Sequence, residues 1–282
     1  MNNPTWSWAD VEALQQLVEQ HDGVALKLNW NTLHSRKEES AADLVEFREG
    51  QLVAFLGLYP FGNTLEVCGM VHPAYRRQGI FTSLLQRGLN SATVVSYSTI
   101  LLNAPGNSDT AKPFLAAYPC RFDFSEYQMK YAEDPASVRV ESSPNGVQVT
   151  LRQAEGMDRP LLSRFDQEGF GLTAEEAKQF YDPLTEEEIH QNELLVYEGE
   201  AVGKIRVSRC NQEAWIYGFV VSASRRGQGI GGTILRQIVD RERAGGFDVW
   251  LEVALNNPKA MKLYEQAGFR VCRSQDYYTF LR

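Results

Sequence analysis

Residues 221–230 of the chain read VSASRRGQGI, and this stretch decides the fold because it occurs twice. Residues 71–80 read VHPAYRRQGI, so that Gly229 follows Gly79 by 150 residues. A Glu-Gly turn sequence also occurs twice, at positions 49 and 50 and again at positions 198 and 199, which is an interval of 149 residues. Such repeated spacing over most of a domain predicts two copies of one folding unit.

The segment that joins the two copies is rich in turn-forming residues. Residues 133–146 contain Pro135, Pro144 and the pair Asn145-Gly146, which interrupt the apolar periodicity on either side. The length of 282 residues also fits two ordinary domains. We therefore expect an N-terminal domain over residues 1–140 and a C-terminal domain over residues 141–282.

Both halves show the same order of predicted elements: a helix, antiparallel strands, and then strand, helix, strand and helix. Helices are predicted at residues 8–20, 80–89, after 107, 159–168, 173–180, 230–243 and 258–266. Strands are predicted at residues 44–47, 52–59, 65–71, 97–102, 124–131, 194–197, 202–207, 215–221 and 249–253, with closing strands after 266. The predicted fold class is α+β, with two tandem domains that each hold a mixed, mainly antiparallel sheet flanked by helices.

Composition and charge argue against several classes of protein. The net charge of −8 and the pI near 5.2 argue against a broad basic surface that binds nucleic acid. The longest mainly apolar run, residues 52–61, is too short to cross a membrane, and the N-terminal region lacks the pattern of a secretory signal. We therefore expect a cytoplasmic protein. The four cysteines and four histidines are scattered, so no metal site is expected.

The loop at residues 225–232 reads RRGQGIGG and carries the strongest chemical signal in the sequence. It follows a predicted strand and opens a predicted helix, so several main-chain N–H groups and the positive end of the helix dipole converge on one point. Arg225 and Arg226 add positive charge beside these donors. The arrangement suits a diphosphate, whereas the alternative is an ordinary glycine-rich helix start with two solvated arginines.

The pattern Arg226-x-x-Gly229-x-Gly231 resembles the acyl-coenzyme A signature of the GCN5-related N-acetyltransferase (GNAT) family. Residues 251–269, which begin LEVALNN, resemble the next block of that family. The resemblance implies a tandem GNAT protein that binds acetyl-coenzyme A between residues 215–221 and 249–253. The residues assigned in this way to the pantetheine and the diphosphate are Phe219, Val220, Val221, Arg226, Gly227, Gln228, Gly229, Ile230, Gly231 and Gly232.

The resemblance also implies an acid and a base for acyl transfer. Tyr264 is then the general acid that protonates the departing sulfur, and Glu252 is the general base. The tract around Glu252 and its spacing to Tyr264 are similar to the ribosomal-protein N-terminal alanine acetyltransferases of the family. The alternatives are an ordinary buried tyrosine and a solvent-facing glutamate. Asn257 is expected to cap the helix that begins at Pro258, with a contact to the cofactor as a second role.

The first copy lacks the corresponding side chains. At an interval of 150 residues, Phe114 matches Tyr264 and Leu102 matches Glu252, while Phe81 stands where the second copy has Gly231. The first loop retains a possible second cofactor site formed by Arg76, Arg77, Gln78 and Gly79. We therefore expect catalysis in the C-terminal domain and a degenerate site in the N-terminal one.

These observations predict an N-acetyltransferase that moves an acetyl group from acetyl-coenzyme A to a primary amine by direct attack. The acceptor is either a small-molecule amine or the N-terminus of a peptide or protein, with no nucleic acid or membrane as partner. The first alternative is a noncatalytic protein that binds or senses acyl-coenzyme A. The second is an aminoacyl-tRNA-dependent transferase, which the acidic charge balance disfavours. The sequence leaves the oligomeric state open.

Overall fold

The chain folds into two compact units, which we describe from a computed structural model. The structure describes residues 6–36, 42–90, 94, 97–132 and 148–282. Unit 1 comprises Met1–Glu126 with Arg273–Arg282, and unit 2 comprises Tyr127–Cys272. The expected joining segment, residues 133–146, lies outside the described residues.

Unit 1 has a mixed sheet in the order β1-β2-β3-β4-β11, with the first part of β5 beside β11. Strands β3 and β4 are parallel, and the pairs β1/β2, β2/β3 and β4/β11 are antiparallel. The bounds are α1 (Trp8–Asp22), α2 (Trp30–Ser35), β1 (Asp43–Arg48), β2 (Gln51–Phe61), β3 (Thr64–Val71), α3 (Ile80–Leu89), β4 (Thr99–Pro105), α4 (Ala111–Ala117), β5 (Cys120–Tyr131) and β11 (Phe269–Phe280).

Unit 2 has the sheet order β5-β10-β9-β8-β7-β6, in which β9 and β10 are parallel and the pairs β6/β7, β7/β8 and β8/β9 are antiparallel. The bounds are β6 (Val149–Gln153), α5 (Arg159–Phe170), α6 (Ala174–Tyr181), α7 (Glu186–His190), β7 (Asn192–Tyr197), β8 (Glu200–Cys210), β9 (Glu213–Val221), α8 (Ile230–Ala244), β10 (Asp248–Ala254) and α9 (Pro258–Gln266). The expected α+β class, with two copies of one mixed sheet, is confirmed.

Apolar residues cover both faces of the sheet in unit 2. On one face, α8 and α9 pack on β8, β9 and β10 through residues such as Ile234, Leu235 and Leu251. On the other face, α5, α6 and α7 pack through Leu162 and Phe165 on β7 and on the end of β9. Unit 1 is built in the same way, with α3 and α4 on one face and α1 and α2 on the other.

The units do not divide near residue 140, where the repeat placed the boundary. The chain leaves unit 1 within β5, between Glu126 and Tyr127, and returns within β11, between Cys272 and Arg273. Met129, which belongs to the first sequence repeat, is fully buried in the core of unit 2. Each repeat therefore completes its last strand in the other unit. Periodicity cannot show this exchange, because a strand looks the same whichever sheet it joins.

Most elements lie where the sequence places them. The helices predicted at residues 80–89 and 258–266 are found with the same bounds. The strand predicted at residues 97–102 instead covers Thr99–Pro105, and the predicted closing strands form the single strand β11. The sequence analysis missed three short elements, which are α2, α7 and β6.

Candidate active site

A cleft opens in unit 2 between the parallel strands β9 and β10. In this fully described part of the chain, the ladder joins Glu213 to Asp248 at its start, and it ends where Ile216 pairs with Leu251. Both strands continue, β9 to Val221 and β10 to Ala254. The main chain of residues 217–221 thus faces the cleft without a partner in β10, as the expected pairing with a pantetheine requires.

A β-bulge in β9 lies at the mouth of this cleft. Lys204 of β8 pairs with Val220 and Arg206 pairs with Tyr217, so that two residues, Gly218 and Phe219, lie opposite one residue of β8. Gly218 has a φ of +55°, in the left-handed region that favours glycine. Because a bulge bends its strand and leaves main-chain groups outside the ladder, it directs N–H and C=O groups toward the cleft. The sequence analysis missed this bulge.

The side chains of the three expected pantetheine residues are engaged in the core. Phe219 and Val221 pack toward α8 and α9, and Val220 packs against α5. A Cβ atom added at Gly169 of α5 would stand only 2.4 Å from Val220, which shows how closely the helix approaches. Only the main chain of residues 219–221 is available for a ligand.

The glycine-rich loop fits a diphosphate. It runs from β9 through a 3-10 turn at Ala223–Arg225 and enters α8 at Ile230, with Gly229 as N-cap at a φ of +83°. The first intrahelical bond at this end joins Thr233 N to Gly229 O at 3.1 Å, so the N–H groups of residues 230–232 precede the hydrogen-bonding pattern of the helix. These donors and the positive end of the helix dipole form an anion site. A Cβ atom at Gly227 or Gly232 would meet nothing within 4 Å, which leaves the approach open.

The two arginines of the loop have different partners. The Nε of Arg226 donates to Val221 O at 2.9 Å, which holds the guanidinium against the loop. Arg225 instead forms ion pairs with Glu198 at 3.4 Å and Glu200 at 3.2 Å. The structure therefore leaves the charge beside the diphosphate site to Arg226, and not to both arginines as expected. Gln228 donates to Ser224 O and supports the loop.

Tyr264 is the buried residue of α9, with only 8% of its surface exposed. Its ring packs near Phe269, at 6.2 Å between centroids. Burial raises the pKa of Tyr264 to about 12, so that the phenol keeps its proton at neutral pH and can donate it. The helix is capped as expected: Asn257 Oδ1 accepts a hydrogen bond from Ala260 N at 3.1 Å.

Glu252 leaves β10 on the face opposite to the Tyr264 core. Leu251 and Val253 are buried against α8 and α9, whereas Glu252 is half-buried on the other face, as strand alternation predicts. Its Oε1 accepts a hydrogen bond from Gln128 Nε2 at 2.9 Å. Gln128 comes from β5 and therefore from the first sequence repeat, which is why sequence reasoning did not find it.

The sheet register corrects two of the sequence matches between the copies. In unit 1 the parallel ladder ends where Val67 pairs with Leu102, just as Ile216 pairs with Leu251 in unit 2. Leu102 therefore matches Leu251, and the residue that matches Glu252 is Asn103. The interval is 149 residues here because the bulge adds one residue to β9, while β3 runs without a register shift.

The match to Tyr264 shifts by one residue in the same way. Leu115 and Tyr264 each lie two residues before the end of their helix, and each is the buried residue of that helix. Phe114 therefore matches Leu263, and not Tyr264 as expected. The functional interpretation is unchanged, because neither Leu115 nor Asn103 can serve as the corresponding acid or base.

The loop of unit 1 has the same shape, but its cleft is filled. Gly79 is the N-cap of α3 at a φ of +77°, and Arg77 is left-handed at +63°. The ring of Phe81 lies so close to β3 that a Cβ atom at Gly69 would stand 2.7 Å from it, and it also packs on Phe114 at 5.1 Å. Phe81 thus occupies the space that Gly231 leaves open in unit 2.

Arg76 of the unit 1 loop is held by an internal carboxylate. Its guanidinium donates two hydrogen bonds to Asp22, at 2.8 and 2.9 Å, and its Nε donates to Val71 O. Burial opposes ionisation of Asp22, but the hydrogen bonds from Arg76 and His21 prevail and lower the pKa of that carboxyl. Gln78 is exposed on this loop. The carboxylate stands beside the loop at which a diphosphate would bind, and the sequence gave no signal of it.

Comparison with protein families bears out the repeat. The model described as the acetyltransferase (GNAT) family matches the chain twice, at residues 5–114 and 160–269, which together make up more than half of it. The chain belongs to the GNAT family. No curated protein matches the sequence. The similarity to the ribosomal-protein alanine acetyltransferases thus rests on the residues around Glu252 alone.

Solved structures share the fold of this GNAT chain. A GCN5-related N-acetyltransferase from Sphaerobacter thermophilus is 20% identical with a TM-score of 0.74, and the match covers 98% of this chain and 93% of that one. A GNAT-family acetyltransferase from Colwellia psychrerythraea is 17% identical with a TM-score of 0.62 and 98% coverage of both chains. A tandem GNAT protein from the clavulanic acid biosynthesis pathway, solved without AcCoA, is 19% identical with a TM-score of 0.67, and the match covers 96% of this chain and 93% of that one.

Two searches of the described residues concern other kinds of site. None of the helices in these ranges combines the length and apolar character that a membrane crossing requires. Within the same ranges, His, Cys, Asp and Glu side chains form no group of three or more that is arranged to hold a metal ion.

Proposed function

We propose that unit 2 transfers an acetyl group from acetyl-coenzyme A to a primary amine. The observation that carries this proposal is the end of the β9/β10 ladder at Ile216 and Leu251, since it opens a cleft at the point where Glu252 leaves the sheet. The loop at residues 227–232 supplies diphosphate donors at one end of this cleft. The chemistry has acid and base candidates on the two faces of the sheet.

The chain's own groups supply the two proton movements of the reaction. The carboxylate of Glu252, oriented by Gln128, accepts the proton that the substrate ammonium must lose before its nitrogen can attack the acyl carbon. As the carbon–sulfur bond breaks, the phenol of Tyr264 donates its proton to the departing sulfur. No covalent bond to the enzyme forms, because the amine attacks directly.

Unit 1 is proposed to be inactive in transfer. Phe81 fills its cleft, Asp22 pairs with Arg76, and Leu115 and Asn103 replace the acid and the base. We infer that unit 1 serves as a scaffold, while Gln128 from the first repeat contributes to the site of unit 2.

The acceptor is a small-molecule amine or a peptide N-terminus. The tract around Glu252 resembles enzymes that acetylate an N-terminal alanine, which supports peptides as the first class to test. An assay of coenzyme A release with amino acids, polyamines, aminoglycosides and Ala-initiated peptides separates these classes. Release with peptides alone supports the resemblance, and release with small amines alone contradicts it.

The test of the transfer mechanism is Tyr264→Phe. We expect the turnover number to fall about 100-fold, the scale of a lost general acid, with unchanged affinity for acetyl-coenzyme A. Tyr131→Phe is the matched control, because its ring packs on the same Phe269 at 5.8 Å. Unchanged turnover in Tyr264→Phe would remove this residue from its proposed role. Tight binding of acetyl-coenzyme A without transfer to any amine would instead favour a noncatalytic binding protein.

A further inference from the structure

Three ionisable side chains lie buried together beneath the β9 bulge, and the proposed chemistry does not use them. They are Lys204 of β8, Asp166 of α5 and Tyr181 of α6, and each is exposed by 6% or less. Lys204 Nζ donates to the hydroxyl of Tyr181 at 2.6 Å, and that hydroxyl donates to Asp166 Oδ2 at 2.5 Å. Lys204 Nζ also lies 2.6 Å from Asp166 Oδ1, at an angle outside that of a hydrogen bond, so this contact is ionic.

The group is placed directly under Gly218. A Cβ atom added at Gly218 would meet only the end of Lys204, with Nζ at 3.4 Å. Lys204 pairs with Val220 on one side of the bulge, and Arg206 pairs with Tyr217 on the other. The ammonium therefore fills the space beneath the residue whose left-handed conformation forms the bulge.

Unit 1 shows that the fold does not need these charges. Asp166 lies five residues before Gly171, the left-handed residue that ends α5, and Val18 lies five residues before Gly23, which ends α1 in the same way. Lys204 pairs one residue before the end of β9, and Phe55 takes that position against β3. Val18 and Phe55 are fully apolar and buried in one cluster.

The apolar version coincides with a regular strand. The β2/β3 ladder runs from Ala54 and Val71 to Phe61 and Thr64 without a register shift. The charged version coincides with the bulge. Buried ion pairs seldom stabilise a fold more than apolar residues of similar size. The charges in unit 2 are therefore best explained by the shape of the strand above them.

We propose that Lys204 is a positioning residue for the acetyl-coenzyme A cleft, anchored by Asp166 and Tyr181 so that its ammonium holds the bulge at Gly218 and Phe219. The inference rests on the proposed function, because the bulge matters if its main chain binds the acyl carrier. Burial lowers the pKa of Lys204 while the Asp166 carboxylate opposes that shift, which fits a charge that is kept in place by its partners.

The decisive variant makes the group apolar, with Asp166→Val, Tyr181→Phe and Lys204→Met together. We expect an unchanged or higher melting temperature. We also expect the Kd and the KM for acetyl-coenzyme A to rise about tenfold, the effect of one lost hydrogen bond to the carrier, while kcat changes less than twofold. Amide hydrogen exchange of Gly218 and Phe219 should become faster in the ligand-free protein.

The matched control is Arg209→Met with Glu242→Met. These residues form another ion pair of unit 2, in which Glu242 is 1% exposed and accepts at 2.6 and 2.7 Å. This variant should bind acetyl-coenzyme A as the wild type does. If the triple variant does not fold, Tyr181→Phe alone keeps the volume, and faster exchange of the Gly218 amide in that protein is the expected result.

Two failures can be told apart. If the wild-type chain does not bind acetyl-coenzyme A, the proposed function fails, and exchange of the bulge amides alone then decides the role of Lys204. If the wild type binds it and the folded triple variant binds it equally well, with wild-type exchange at Gly218, the positioning role is overturned while the proposed function stands.

Discussion

At the scale of single residues, environment separates the two copies more than residue type does. Tyr264 is a phenol in an apolar core, and Glu252 is a carboxylate on the opposite face of the same sheet, held by an amide from another strand. In unit 1 the matching residues are Leu115 and Asn103. A sequence interval of 150 residues misplaces both matches by one, because only the structure shows where the extra residue of β9 lies.

The burial of Tyr264 predicts a pH profile. Its raised pKa of about 12 means that the acid form persists above pH 10, the ordinary range of tyrosine. The kcat of the wild-type protein, measured with saturating amine from about pH 7 to about pH 11, should therefore show no decline with an apparent pKa near 10. A decline near pH 10 that disappears in Tyr264→Phe would contradict the buried donor.

At the scale of elements, caps and glycines made the sequence informative. Helices α3 and α9 were predicted with their observed bounds because Gly79, and Asn257 before Pro258, mark their starts. Helix α2 was missed because it has six residues and begins after a left-handed Asn29 that makes no side-chain cap. The bulge left a trace in the sequence, since the repeat interval changes from 149 to 150 residues between the Glu-Gly turn and the glycine-rich loop.

The entry of α8 predicts a loss of binding in Gly231→Phe. This change introduces the residue that fills the cleft of unit 1, beside Phe219 and Leu263, whose side chains lie within 4 Å of a Cβ atom at position 231. We expect acetyl-coenzyme A binding, measured by titration calorimetry, to fall at least about 100-fold because the ring displaces the ligand. The reciprocal change Phe81→Gly should leave the affinity of unit 2 unchanged. Retained binding in Gly231→Phe would show that the ligand lies elsewhere.

At the scale of the whole molecule, the chain exchanges strand segments between its units. Residues 127–131 of the first repeat belong to unit 2, and Arg273–Arg282 of the second repeat belong to unit 1. The sequence predicted two copies of one fold, and the structure confirmed them. It could not predict which sheet each last strand joins, because the pairing of a strand is decided by tertiary contacts.

The exchange predicts that Met129→Ala destabilises unit 2, although residue 129 belongs to the first repeat. Met129 is fully buried against the α8 side of the sheet, so its truncation should cost about 2–5 kcal/mol of unfolding free energy. Hydrogen exchange in β9 and β10 should become faster, while β2 and β3 of unit 1 keep their protection. Loss of protection in β2 and β3 alone would contradict the assignment of this segment to unit 2.

The measurement that tests the central proposal most directly is a crystal structure of the chain with acetyl-coenzyme A. The account predicts that the diphosphate lies on the amides of residues 228–232 and that the sulfur lies within reach of the Tyr264 hydroxyl, on the side of the cleft that Glu252 borders. Acetyl-coenzyme A bound at the loop of unit 1, or in unit 2 with its sulfur away from both side chains, would contradict it.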